Sequence, residues 1–301
     1  KLPNDLAILG SSVLLNCDSL TDIAIPIGVT VIPRSAFSYC DGLINVKIHS
    51  NITAINQNAF LGCKSLKNVT LPEALETIGD SAFKDNIGLT EIIIPDSVTS
   101  IGGSAFSGCV NVTSLTIGNS VQKIDTLAFY GLSLLTKIVV PNSVQTISNA
   151  AFQGCNALQE ITLPFVGGSR AVSEQVEISG DPWRGGSAYL FGYIFGGEHK
   201  FNNNTSTANW IYQGQSDSYP TGIGYYDGYY IPASLRKVTI TDAEGISANA
   251  FYGCTMIEEL NLNDSISVIY DNAFYNLGMI NQSSESFVVS GDILLKYKGS
   301  D

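Results

Sequence analysis

Six cysteines are the residues with the most obvious chemistry: Cys17, Cys40, Cys63, Cys109, Cys155 and Cys254. Paired, they would make disulfides; clustered with histidine, they would hold zinc. Their spacing fits neither use. C-x₂-C does not occur, and the two histidines, His49 and His199, have no ligand-like spacing to them. All six instead hold one position of a sequence repeat, so they should form a column with rungs about 4.8 Å apart. Parallel side chains in such a column do not aim their Cβ atoms at each other, as a disulfide requires. The expectation is buried free thiols used as small apolar side chains.

Other reactive patterns are equally sparse. His49 replaces a strand-ending proline and has no spaced partner, and His199 follows Glu198 without an H-E-x-x-H frame. There is no G-x-S-x-G elbow and no P-loop; Gly222-x-Gly224 lacks the third glycine of a dinucleotide motif. The acidic residues are scattered by the repeat, and none forms a calcium loop. No catalytic residue, metal site or cofactor is therefore expected.

Aromatic residues carry a different chemistry, that of recognition. Residues 165–234 hold both tryptophans and eight of the fourteen tyrosines, set among glycine and asparagine. Flat apolar rings with hydrogen-bonding tips suit a sugar or protein surface. The candidate ligand-binding residues are Trp183, Trp210, Tyr212, Tyr225, Tyr226, Tyr229 and Tyr230. Phe191, Tyr193, Ile194 and Phe195 are expected to pack inward instead. Asp227-Gly228, between two tyrosine pairs, carries the turn signal of a hairpin with tyrosines on both faces.

What positions these residues is a repeat. Ala-Phe ends at Phe37, Phe60, Phe83, Phe106, Phe129 and Phe152, always 23 residues apart, and returns at Phe251 and Phe274 with the same step. Leu20, Leu43, Leu66, Leu89, Val112, Leu135 and Leu158 keep that period, each followed by an alternating I-x-I segment. Such a β-branched alternation predicts a short strand with one buried side. Proline ends it in most units. Ser35, Asn58, Ser81, Ser104, Thr126, Asn149, Asn249 and Asn272, before the Ala-Phe pairs, are N-cap types, which predicts a single helical or 3₁₀ turn there. One strand and one turn cannot bury an apolar face alone; stacked neighbours can.

The expected fold is an α/β-type solenoid of 23-residue units, with one parallel sheet on a concave side and short helical or 3₁₀ turns opposite. Its expected divisions within a single solenoid, 1–301, are a first repeat array at 14–164, an aromatic glycine-rich insertion at 165–234, and a second array with a transition segment at 235–301. Sheet residues facing outward include Asp22, Lys47, Glu91, Ile93, Lys137, Val139 and Glu259, a mixed surface able to make a broad, weak protein contact.

Charge narrows the partners. Fifteen basic and 27 acidic residues give a net charge of −12, which repels phosphate backbones and anionic headgroups. Nucleic acid is not expected as a partner. No apolar run approaches the ~20 residues that span a bilayer, so direct membrane insertion is not expected either. The apolar share, 45%, is too high for disorder.

The unit L-x-x-I-x-I-P-x-x-V-x-x-I-x-x-x-A-F-x-x-C resembles the bacterial leucine-rich repeat of the BspA-like surface proteins, over residues 14–164 and 235–277. The resemblance implies a leucine-rich-repeat solenoid, secreted or on the cell surface, that serves adhesion or host contact. Its partner would be a host or matrix protein or a glycan. The other function open to such repeats is that of a passive spacer or stalk. Lys1 begins mid-unit and residues 291–297 read as a bridge toward further repeats, so a segment of a longer chain is expected, with signal and anchor elsewhere.

Overall fold

The structure is a computed structural model that describes residues 2–67, 69–173, 190–201, 211–216, 225–282, 287–290 and 293–297. It divides into two compact units, Lys1–Ala157 and Leu158–Asp301.

In the first unit the 23-residue period becomes the pitch of a parallel β-solenoid. The I-x-I segments supply one strand position: Asp22–Ala24 pairs with Asn45–Lys47, and Glu91–Ile93 with Ser114–Thr116, each in register one repeat later. Their middle residues face the core and their flanking ones are exposed, as at Asp22–Ala24 and Lys137–Val139. The alternation read from the sequence is therefore the burial alternation of the strand.

A second strand position was not expected. Val31–Ile32, Ala54–Ile55, Thr77–Ile78, Ser100–Ile101, Lys123–Ile124 and Thr146–Ile147 form a six-stranded parallel sheet, with each Ile paired to the Ile 23 residues on. Two residues per coil are too few to show an alternation in the sequence. Each short strand follows a turn closed at the strand-ending position, by proline in most coils, as where Val29 N–H donates to the Pro26 carbonyl at 3.0 Å, and by His49 or Gly118 in the others. Each coil thus has two β sides, and the single-sheet, α/β-type description gives way to a β-solenoid.

The Ala-Phe side is not helical, which corrects the capped-turn expectation. The residue two before Phe adopts a left-handed conformation, with φ of +55° at Ser35, +59° at Asn58 and +54° at Ser81. The residue two after Phe does the same, at Tyr39 (+56°), Asp85 (+60°) and Gly108 (+76°). Ser and Asn were read as N-caps, but here their tolerance of the left-handed region is what is used. Thr126 and Asn149 are not even the residues concerned; Leu127 and Ala150 hold positive φ in those coils. Such residues break a helix and turn alternate N–H groups outward along the stack. Ser35, Phe37 and Tyr39 donate to Gln57, Ala59 and Leu61 of the next coil, while Ala36, Ser38 and Cys40 donate back to Pro33, Ser35 and Phe37. This side therefore carries its own ladder between coils, and its backbone groups are satisfied without a helix. Among the described residues helix is confined to Arg170–Ser173, Phe191–Phe195 and Gly278–Gln282.

The core of the first unit is a row of stacked phenylalanines. Neighbouring rings from Phe37 to Phe152 lie 5.2–5.8 Å apart with interplanar angles of 3–10°. Beside it runs the column of Cys17, Cys40, Cys63, Cys109 and Cys155, with no disulfide among them. The thiol of Cys63 donates to the Phe37 carbonyl at 3.0 Å and that of Cys109 to Phe83 at 3.2 Å. Burial pushes Cys63, Cys109 and Cys155 up to about 12. In the third full coil Asn86 takes this slot, and its amide donates to the Phe60 carbonyl at 2.8 Å.

The second unit repeats the plan around an interruption. Glu160–Leu163 pairs with Lys237–Ile240, and that strand with Glu259–Asn261. The first of these pairs joins residues 77 apart, so 54 more than one repeat are looped out. The loop is not one piece. The Phe191 ring lies 5.1 Å from that of Phe251 with the planes tilted by 34°, and the Phe191 N–H donates to the Ala250 carbonyl at 3.0 Å, as Phe251 does to Ala273. Leu190-Phe191-Gly192-Tyr193-Ile194 is thus a disguised Ala-Phe-x-x-Cys turn inside residues 165–234. Phe165, Leu190, Phe191, Ile194 and Phe195 are fully buried. Compared with a plain coil, 16 residues are added before this turn and 38 after it.

Candidate functional site

The longer addition builds the site. Residues 197–229 contain three segments rich in aromatic and β-forming types, and they pair as an antiparallel sheet. Tyr225–Tyr229 is the central strand; Gly197–Phe201 and Ile211–Ser216 are its edges. The register slips between Gln213 and Gln215, which leaves Gly214 as a bulge.

The Asp227-Gly228 hairpin expectation fails here. Both residues lie inside the central strand, where Asp227 pairs with His199 and Gln213, and Gly228 with Glu198 and Tyr212. A two-residue hairpin is marginal alone, whereas a central strand has neighbours on both sides. His199 lies on the edge strand Gly197–Phe201.

One end of the sheet is seated on the disguised turn. Tyr229 is 4% exposed, and its ring lies so close to Gly192 that a Cβ there would sit 2.3 Å from Tyr229 Cγ. Only glycine leaves room for that ring. The Tyr230 N–H donates to the Gly196 carbonyl at 2.9 Å, so the chain leaves the coil and rejoins it at one point. At the root of the shorter addition, Arg170 donates to the Asp242 carboxylate and carbonyl, both at 2.7 Å, with its guanidinium 5.8 Å from the Phe165 ring centroid.

Of the candidate residues, Tyr212, Tyr225, Tyr226 and Tyr229 are brought into one sheet, and half-buried Tyr230 follows it. Trp183 and Trp210 lie outside the described residues. The pleat sorts the rest by register. Tyr229, Asp227 and Tyr225 alternate onto the seated face, with Gly197 and Ile211, His199 and Gln213, and Phe201 and Ser216 as their partners. The opposite face carries two rows: Glu198, Gly228, Tyr212, and Lys200, Tyr226, Gln215.

Polar groups elsewhere have structural partners. His49 Nε2 donates to the Pro26 carbonyl at 2.9 Å and its Nδ1 accepts the Asn51 N–H at 3.2 Å, so neither ring nitrogen is left for base chemistry. On the exposed strand faces, Asn45 donates to Asp22 at 2.8 Å, and Lys237 meets Glu259 at 2.6 Å. That bond raises the Lys237 pKa and lowers that of Glu259. Ile93 and Val139 are exposed apolar residues on the same strand position, 53% and 49% accessible. Among the described residues no group of three His, Cys, Asp or Glu could hold a metal ion, and no helix is long and apolar enough to cross a membrane.

The family model of the BspA type leucine rich repeat region matches residues 1–109, 76–166 and 223–289, in six copies. The chain belongs to the BspA-type leucine-rich-repeat family. The matched regions take in the stacked coils together with Tyr225–Tyr229, and they omit residues 167–222. No curated protein matches this BspA-type chain. Among solved structures it is similar to a leucine-rich repeat protein from Bacteroides ovatus, at 22% identity over 90% of this chain and 68% of that one, with a TM-score of 0.44. It is also similar to a leucine rich repeat protein of T. pallidum, at 26% identity over 49% of this chain and 69% of that one, TM-score 0.44. A leucine rich cell surface protein from Faecalibacterium prausnitzii shares 22% identity over 92% of this chain and 57% of that one, TM-score 0.41. Family membership is consistent with a binding or structural role for the BspA-type coils.

The disguised coil had a signal in the sequence. Phe191 and Ile194 keep the Phe-x-x-Cys spacing with apolar replacements, but Leu190 in place of alanine and the broken period hide it.

Proposed function

We propose that this chain is a non-catalytic recognition module of a bacterial surface protein, working at the cell surface or outside the cell. In this reading the coils are scaffold and the antiparallel sheet of residues 197–229 meets the ligand, a host or matrix protein or a glycan. One observation carries it: the chain departs and returns at Gly196 and Tyr230, and what it extrudes between them is an independent sheet holding four candidate tyrosines. A segment needed only to complete the coil would not require this sheet. Binding residues commonly sit on additions held by a rigid scaffold.

The second reading, a passive spacer, is favoured by the exposed strand faces, where polar side chains pair from coil to coil, as at Asp22–Asn45 and Lys237–Glu259. Such a surface is already satisfied by itself. The two readings separate on excision of residues 197–229, with Gly196 joined to Tyr230 through two glycines. Parent and excised chains are screened against immobilised matrix proteins and glycans. A ligand held by the parent and lost on excision supports recognition; none for either chain, in a parent that folds, supports the spacer.

A further inference from the structure

The left-handed turns give the Ala-Phe side of the first unit a direction. Ladder donors there point toward the later coil and acceptors toward the earlier one. Ser12, Leu14 and Asn16 donate to Arg34, Ala36 and Ser38, each at 2.9 Å, and Ser35, Phe37 and Tyr39 donate to Gln57, Ala59 and Leu61. The hydrogen bonds thus run along the stack with a single polarity. An ordinary β edge carries donors and acceptors in alternation; this ladder ends in one kind only. At the first coil that kind is the acceptor. The carbonyls of Ser11, Val13 and Leu15 stand where those of Arg34, Ala36 and Ser38 stand one coil later, and no backbone N–H among the described residues reaches them. Leu15 has the Cys17 thiol at 4.0 Å. The core is open at the same place. Leu14, Cys17 and Leu20 are half-buried where Phe37, Cys40 and Leu43 are fully buried, and Val13 is 43% exposed where Ala36 is 0%.

We propose that this face is the docking surface for one more coil of the same class, lying ahead of Lys1 in a longer chain. Two features of the face select that partner. An all-acceptor row needs N–H groups at every second residue of one edge. An extended strand offers donors and acceptors there in equal number, and would set its own carbonyls against Ser11, Val13 or Leu15. A coil with alternate residues left-handed, as at Ser35 and Tyr39, offers donors alone. The second feature is register. Asp22–Ala24 pairs with Asn45–Lys47 on one side and with no strand among the described residues on the other. A coil that lays its own strand on that free edge brings its donor row over Ser11, Val13 and Leu15 and its Phe slot over Leu14, because both ladders keep the same 23-residue step. Solenoids need terminal units with a polar outer face, and this first coil instead presents Ile8, Val13 and Leu15, 80%, 43% and 42% exposed. A second copy does not fit: two such faces both present acceptors, and at the last Ala-Phe coil the core is already closed, with Phe274 8% and Leu277 0% exposed.

The test supplies a coil and reads the face. Residues 118–140 make a coil without cysteine, with Leu132 in the cysteine slot and Gly131 left-handed at +76°. A copy of 118–140 joined ahead of Pro3 sets its phenylalanine over Leu14 in register. Cys17 is the reporter, because it is half-buried and the other five cysteines are buried. In the 301-residue chain this one thiol should react quickly with an aromatic disulfide. The added coil should slow that reaction about tenfold or more and raise the melting temperature by about 4 °C or more. A scrambled extension of the same composition should do neither. Equal Cys17 reactivity in parent and extended chains, when circular dichroism shows the repeat fold in both, would overturn the proposal, as would equal protection by the scrambled extension. Sedimentation separates the sources of the coil. The parent chain should be monomeric; a dimer dispersed by Val13→Lys would give the face to a second copy and overturn a preceding coil. In the longer chain itself, the residue 23 positions ahead of Leu14 should be apolar and part of a unit of the same pattern, and an unrelated sequence there overturns the proposal as well.

Discussion

Replacing Asn86 by cysteine should stabilise the protein, although it exchanges an amide for a weaker donor. Asn86 is fully buried in the slot that cysteine fills in most coils. Its Nδ2 donates to the carbonyls of Phe60 at 2.8 Å and Lys84 at 3.3 Å, but its Oδ1 is buried with no partner. Flipping the amide would set oxygen against the Phe60 carbonyl, so the orphan cannot be cured by rotation. A buried acceptor without a partner costs about 1–3 kcal/mol. The substituted thiol would reach the Phe60 carbonyl as Cys63 reaches Phe37, at 3.0 Å. The Lys84 carbonyl keeps the Gly62 N–H at 2.8 Å. No carbonyl is abandoned and one penalty is removed, so the net gain should be about 1 kcal/mol, or about 2–4 °C in melting temperature for a chain of this size. Thermal and urea melts of Asn86→Cys, Asn86→Ala and the parent decide it. Alanine supplies no donor to Phe60 and should fall below cysteine. If the cysteine variant melts below the parent, the amide's two bonds outweigh its unpaired oxygen and this reasoning is wrong.

Other outcomes follow from the same coils. Phe106→Ala removes a ring stacked between Phe83 and Phe129 and should cost about 3–5 kcal/mol in chemical denaturation; less than half of that would contradict a tightly packed aromatic row. Leu127→Asn places a residue tolerant of positive φ where leucine now holds +59°, and a gain of about 0.5–1 kcal/mol in the same assay is expected. Burial holds Cys63, Cys109 and Cys155 neutral up to about 12, against 9.0 unperturbed. The unfolded chain releases these protons first as pH rises. The contribution of these thiols to stability should therefore be constant below about pH 9 and fall by about 1.4 kcal/mol per pH unit for each thiol between there and about pH 12. Cys109→Ala should make that slope shallower, and an unchanged slope would mean the thiol titrates normally when folded.

The long-range order was legible because it rests on simple spacing: Phe37 to Phe152 at 23-residue steps is both the sequence period and the stacked row. The second sheet escaped notice because Val31–Ile32 and its successors are two residues long, below the length at which alternation means anything. The Ala-Phe turns were misread for a related reason. Ser and Asn favour caps and left-handed φ alike, and composition alone does not choose; what chooses is the ladder from Phe37 to Ala59 and its equivalents. In the candidate site, the tyrosines were visible as a cluster, but their arrangement was not. Asp227-Gly228 behaves as a turn or as strand depending on what lies alongside it, and its partners at Glu198 and Tyr212 are far away in sequence.

The bond from Tyr230 to Gly196 has a meaning for how such a protein can change. Because the two ends of the excursion meet, the length of whatever passes between them is uncoupled from the rise of the stack. A doubled passenger adds only about 0.6 kcal/mol of closure entropy. The coil is then a mount, able to exchange what it displays while its own buried residues, Phe191 and Ile194, stay untouched.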